Sequence, residues 1–236
     1  MTRKGSQVQV PHGPLVEPGK RLPGMQQGRR RSSIIVDVGT SKFAGLILTP
    51  SAGARRDQPG LVAIDERLSQ QGIAVERVEF PGQASGKRRP DPPEVCIETV
   101  RDAAAALAQR LSVAVTQVAL GGRSFGGRMC SMAAAGGLDV AALVLVSYPL
   151  HPPGQPERLR TSHFPQLEMP CLFVSGRRDA FATTEELERE TASIPGDVTL
   201  VAIDGDHSLR RTEREAAAVV ATWAAAINGR QPPEGG

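Results

Sequence analysis

The sequence predicts an α/β protein in which a mostly parallel, twisted sheet is covered by helices on both faces. Two observations carry this. From residue 34 onward, short aliphatic runs alternate with longer segments whose apolar residues recur at helical spacing, the pattern of repeated β–α units. The polar, glycine-rich stretches fall just past the strand-like runs, where parallel sheets place ligands and chemistry.

In chain order, "SIIVDV" (33–38) and "FAGLIL" (43–48) are β-like, and "LVAIDERLSQQ" (61–71) has helical spacing at Leu61, Ile64 and Leu68. "IAVERVEF" (73–80) alternates like a strand. A loop, "PGQASGKRRPDPP", precedes the helical "EVCIETVRDAAAALAQRLS". Strand "QVAL" enters "GGRSFGG" (121–127), and the helix "GRMCSMAAA" follows. Strand "ALVLVS" (142–147), a Pro-rich loop, strand "CLFVS" (171–175), helix "TTEELERETAS", strand "VTLVAI" (198–203) and helix "REAAAVVATWAAAI" complete the order.

At 236 residues, with 40% hydrophobic and 22% charged residues, the chain fits one domain with a sizeable core. No run approaches the ~18 apolar residues of a membrane span. Seven basic residues against Glu17 give the first 32 residues a charge of +6, so the rest carries −3 of the net +3. A mildly acidic body excludes a nucleic-acid surface there. The segment 1–32 is rich in Pro, Gly and Gln and is expected to be a flexible basic tail. The domain then spans 33–230, with a flexible end at 231–236. Arg29-Arg30 resembles part of a twin-arginine signal, but Asp37 and Lys42 interrupt the following apolar stretch, which argues against export. Three cysteines, Cys96, Cys130 and Cys171, form an odd set without metal-ligand spacing. They read as buried thiols of a reducing, cytoplasmic compartment. No metal site or cofactor is expected, and the oligomeric state is left open.

Gly122-Arg123-Ser124-Phe125-Gly126 matches G-x-S-x-G between a strand and a helix, a sharp turn that exposes a serine hydroxyl. Gly121 and Gly127 widen the clearance. The dinucleotide pattern G-x-G-x-x-G fails here because Arg123 or Ser124 would stand at the middle glycine. The P-loop pattern fails because no Lys-Ser/Thr follows. A turn whose glycines serve packing alone is the plain alternative.

A serine hydroxyl needs a base, and the base an orienting carboxylate. His207 follows the last strand and Asp179 follows "CLFVS". The order Ser124, Asp179, His207 is the chain order of the α/β-hydrolase triad. Each also has a structural reading: Asp179 as a strand terminator, Thr183 with Glu186 as a capping box, His207 as a turn residue. All three in this order and context favour the chemical one.

Together, "TPSAGARRDQP", "GGRSFGGRM", "LVSYPLHPPG", "CLFVSGRRDAF" and "DGDHSL" resemble an α/β-hydrolase-like family related to dienelactone hydrolases. That group includes a testis-expressed protein, an NSL chromatin-complex subunit and many bacterial members. The resemblance covers roughly residues 43–228. It implies an α/β-hydrolase fold with Ser124 as nucleophile, Asp179 as acid and His207 as base, and it says little about substrate; a small ester or thioester-like bond is the expectation from the triad chemistry. It also leaves room for a catalytically weak binding or scaffold module. The family's loop after this strand usually reads His-Gly-Ala-Gly or Pro-Gly-Ala-Gly, whereas here it is Pro50-Ser51-Ala52-Gly53. An oxyanion hole takes one N–H from Phe125 and a second from this loop. Pro50 has none, so Ser51 or Ala52 must supply it.

Only 22 residues, 148–169, join "ALVLVS" to "CLFVS", too few for a large helical lid. The mouth is expected to be open and bordered by the segments holding Tyr148, His163 and the "GKRRPD" loop. Tyr148, His163 and Arg123 are the candidates for substrate contact. Arg55, Arg56, Arg88 and Arg89, with Arg123, would suit an anionic substrate.

Overall fold

The computed structural model describes residues 43–87 and 89–229. The expectations for the tail, for "SIIVDV", for Arg88 and for 231–236 lie outside these residues. Among the described residues, six strands form one all-parallel sheet: β1 Gly45–Thr49, β2 Ala74–Arg77, β3 Val118–Arg123, β4 Leu143–Val146, β5 Cys171–Gly176 and β6 Val198–Ile203. Their spatial order is β2-β1-β3-β4-β5-β6. The helices are α1 Pro59–Ser69, α2 Pro81–Ala84, α3 Pro93–Leu111, α4 Phe125–Ala135, α5 Thr184–Thr191 and α6 Glu213–Ile227.

Strand alternation divides the core in two. Ile47, Leu120, Leu143, Leu145 and Phe173 point to one face with residues of α3 and α4. Leu46, Leu48, Val144, Leu172 and Val174 point to the other, against α1 and α6. Both faces are apolar, so the central strands read as continuous runs, as a doubly covered parallel sheet requires. The chain steps from β1 out to β2, then returns across β1 to β3 and continues to β6. Right-handed crossovers taken in opposite directions place their helices on opposite faces, which is why α1 and α3 lie on different sides. The direction reverses between β1 and β3, and there a crevice opens beyond the carboxyl ends of the strands.

Helix boundaries have local causes. Pro59 and Pro93 open α1 and α3 at the first turn, where a missing N–H costs nothing. The Thr183–Glu186 capping box forms at α5, with Glu186 N–H donating to Thr183 Oγ1 (3.2 Å) and Thr183 N–H to Glu186 Oε2 (2.8 Å). Two details differ from the sequence expectation. The strand expected over 73–80 is shorter, because its end turns away at Phe80 to cap α2. The loop expected at 81–93 contains α2 itself, one helical turn in which Gln83 Oε1 accepts from Phe80 N–H (3.2 Å). Among the described residues no helix is long and apolar enough to cross a membrane.

Candidate active site

Ser124 lies between β3 and α4 with φ 52° and ψ −117°, a conformation that non-glycine residues adopt rarely and at a cost. Neighbouring backbone holds it there: Ser124 N–H donates to Val146 O (2.8 Å), and Arg128 N–H donates to Ser124 O (3.1 Å). The flanking glycines are dictated by close approach. A Cβ on Gly126 would stand 2.5 Å from the Pro50 and Thr49 carbonyl oxygens, and one on Gly122 would collide with Thr49 Oγ1. A Cβ on Gly121 would stand 2.8 Å from Val144 O, and one on Gly127 2.8 Å from Gly122 O. The turn therefore sits pressed against the end of β1, and the Ser124 side chain projects from it into the strand-end crevice.

The sheet brings the other two residues to it. Ser124 Oγ lies 2.8 Å from His207 Nε2. His207 Nδ1 lies 2.9 and 2.8 Å from the two oxygens of Asp179. A carboxylate only accepts, so Nδ1 carries the proton and Nε2 is left as an acceptor facing the hydroxyl. Asp179 is buried and held by Phe181 N–H to Oδ1 (2.8 Å) and Ser175 Oγ to Oδ2 (3.4 Å). The Phe181 ring stacks on the imidazole, centroids 4.0 Å apart.

The loop after β1 is braced by side chains that sequence reasoning did not single out. Gln58 Oε1 accepts from Ser51 N–H (3.1 Å), Gln58 Nε2 donates to Ser51 Oγ (3.2 Å), and Gln83 Nε2 donates to Ser51 O (2.8 Å). The Ser51 N–H is thereby occupied. The N–H groups of Ala52 and Phe125 have no acceptor among the described residues. The position of Gln58 just before Pro59 was a readable helix-start signal, whereas nothing in "PGQASG" marked Gln83 for burial.

Arg123 points into this network, donating to His207 O (2.6 Å) and Ser51 Oγ (3.3 Å). Burial lowers its pKa against the pull of Asp179. It ties three strand-end loops together and lines the cavity as well. Tyr148 and His163, expected at the mouth, do not line that cavity. Tyr148 is buried against Phe164 and Phe173, with its hydroxyl on Arg160 O (3.0 Å). His163 Nε2 is 2.8 Å from Ser131 Oγ. Burial, then the charge of Arg128, pushes the imidazole down to about 4. Of the loop arginines, Arg55 pairs with Glu79 (3.5 Å).

Ser124, His207, Phe125 and Ala52 open onto a cavity of about 520 Å³, whose wall includes Arg128 and Arg160. A second cavity of about 300 Å³ lies between α1 and α6, and Arg123 lines both. Cys130 lies beneath the turn, its thiol donating to Gly121 O (3.2 Å). Burial pushes that thiol up to about 12, so it packs as a neutral side chain. Among the described residues no group of three or more His, Cys, Asp or Glu is placed to hold a metal.

The sequence model of a family described as alpha/beta hydrolase domain matches residues 42–231. The chain belongs to the alpha/beta hydrolase family. Solved structures agree in fold. An alpha-beta serine hydrolase homologue from Coxiella burnetii superposes with TM-score 0.63 at 21% identity, over 78% of this chain and 86% of that one. Dienelactone hydrolase from Anabaena variabilis gives 0.59 at 19%, over 80% and 87%. Est1E from Butyrivibrio proteoclasticus gives 0.64 at 18%, over 80% and 90%. For an alpha/beta hydrolase the crevice at the strand ends is the expected place for chemistry, and Ser124, Asp179 and His207 come together there.

Proposed function

We propose that the protein is a serine hydrolase of small ester or thioester-like bonds, with Ser124 as nucleophile, His207 as base and Asp179 as orienting acid. The observation that carries this is the hydrogen-bond chain Ser124 Oγ–His207–Asp179 at a strained serine. A packing turn would not need that strain, and a scaffold module leaves it unexplained.

The reaction in this reading has two halves. Ser124 Oγ attacks the acyl carbonyl as His207 Nε2 takes its proton. Asp179 holds the Nδ1–H tautomer and stabilises the imidazolium. The N–H groups of Phe125 and Ala52 receive the developing oxyanion. Ser51 anchors that loop, its own N–H being given to Gln58 Oε1 rather than to the oxyanion. The acyl–oxygen or acyl–sulfur bond then breaks, and His207 returns its proton to the leaving atom. Water next attacks the acyl-serine carbonyl while giving a proton to His207, and that proton passes to Ser124 Oγ as the acid departs. No cofactor is required in this scheme.

Turnover of a short aryl ester tests the reading. Ser124→Ala removes one oxygen from the turn and leaves its backbone, so the variant should fold while kcat/KM falls at least ~1000-fold. Equal turnover by parent and variant would contradict the assignment.

A further inference from the structure

The wall of the Ser124 cavity carries positive charge without a counter-ion. Arg128 lies on α4 one turn beyond Ser124, on the helix face that overlies the turn. Its Nε is buried and has no hydrogen-bond partner. Arg160 reaches the same cavity from the loop between β4 and β5. Burial lowers the Arg160 pKa, and the neighbouring Arg128 lowers it further, so the two guanidiniums stand close enough to repel. Neither forms an ion pair with a carboxylate among the described residues, whereas Arg55, Arg77, Arg110, Arg178 and Arg189 all do. His163, beside Arg128, is held neutral rather than cationic by burial and by that charge. Two partly desolvated like charges with an unmet donor destabilise a fold. Two guanidiniums on the wall of the cavity that also holds Ser124 offer forked donors to a compact oxyanion.

Resting on the serine-hydrolase reading, we infer that the substrate's acyl half ends in an anionic group, a carboxylate or phosphate, gripped by Arg128 and Arg160. The leaving atom must face His207 to receive its proton, so the acyl chain is the half directed elsewhere in the cavity. The anion cancels the repulsion between the two arginines and supplies the counter-charge that the cavity wall lacks. Binding energy from this remote group then orients the carbonyl over Ser124.

The test compares the 4-nitrophenyl hemiester of glutarate with its methyl-capped neutral twin, and with a phosphonate-ended ester of the same length. The parent should prefer an anionic ester over the neutral one by about tenfold to a hundredfold in kcat/KM, the factor expected of a charge-assisted hydrogen bond. Preference for the phosphonate over the hemiester assigns phosphate; the reverse assigns carboxylate. Arg128→Ala and Arg160→Ala should each bring the anionic-to-neutral ratio near one, and Arg160→Glu should invert it. Arg110→Ala, whose partner is Glu76 (2.6 Å), should keep the parent's ratio. A parent ratio near one, or a ratio unchanged in both alanine variants, overturns the inference. Inactivity toward all three esters sinks the hydrolase reading instead. Thermal midpoints with glutarate and with inorganic phosphate then decide the anion site. Stabilisation of the parent that Arg160→Ala lacks supports the site, and its absence overturns it.

Discussion

At the scale of single residues, the site depends on side chains that hold others still. Gln83 is buried and spans Phe80 N–H and Ser51 O. Gln83→Ala leaves Phe80 N–H unpaired, at a cost of about 1–3 kcal/mol if water cannot reach it, and leaves Ser51 O with the Ala54 N–H alone (3.0 Å). It also loosens the loop that carries the Ala52 N–H. The expected outcome is a drop in kcat of tenfold or more with little change in KM, and Gln83→Glu should not restore it, because a carboxylate has no N–H for Ser51 O. A change confined to thermal stability would assign Gln83 to packing alone. The meeting of Ser124, Asp179 and His207 was legible in the sequence because each follows a strand. Gln83, Arg128 and Arg160 were not, because their roles depend on contacts between residues distant in sequence. Tyr148 and His163 were misplaced for a related reason. A loop segment beside a mouth and a loop segment folded under it look alike as letters; contacts with Phe164 and Phe173 place Tyr148, and contacts with Phe164 and Ser131 place His163.

Among elements, the closeness of α4 to β1 is the critical packing. Gly126→Ala would place a methyl 2.5 Å from two carbonyl oxygens at the end of β1, and backbone cannot yield as a flexible side chain can. Destabilisation on the order of 2 kcal/mol or more is expected, together with loss of activity, read by thermal midpoint and ester turnover. Retention of both would show that the turn has slack. Thr183→Ala at α5 provides the contrast. Loss of the capping box should cost about 1 kcal/mol and leave kcat/KM within twofold, since α5 contributes no residue to the Ser124 cavity. Most elements could be read from apolar periodicity and turn residues, including the last strand, whose bounds match Val198–Ile203. The single-turn α2 was hidden because one turn has no periodicity to detect, and Gly and Pro in its sequence argue for a loop.

For the molecule as a whole, two histidines outside the Ser124 chain make stability depend on pH with opposite signs. Burial and Arg128 hold the His163 value at about 4, below the ordinary 6.5. The unfolded chain therefore binds that proton more readily, and stability falls as pH drops from about 6.5 toward 4. At His151, burial opposes the charge, but the Pro152 carbonyl and Glu186 outweigh it and raise the value. Its contribution is present below 6.5 and lost as pH rises through the raised value. In thermal midpoints from pH 4 to 8, His163→Asn should flatten the acid decline, while His151→Asn should cost most on the acid side. Parallel profiles for all three proteins would contradict both assignments. The doubly covered sheet and its switch point between β1 and β3 gather the loops of β1, β3, β5 and β6 at one crevice, and the account stands or falls on what Ser124 does there. The most direct measurement is labelling of the native protein with a fluorophosphonate, followed by peptide mapping of the adduct. A single adduct on Ser124, abolished in Ser124→Ala and in His207→Ala but present in His151→Asn, is the predicted result. An unlabelled parent, or an adduct on any other residue, would contradict it.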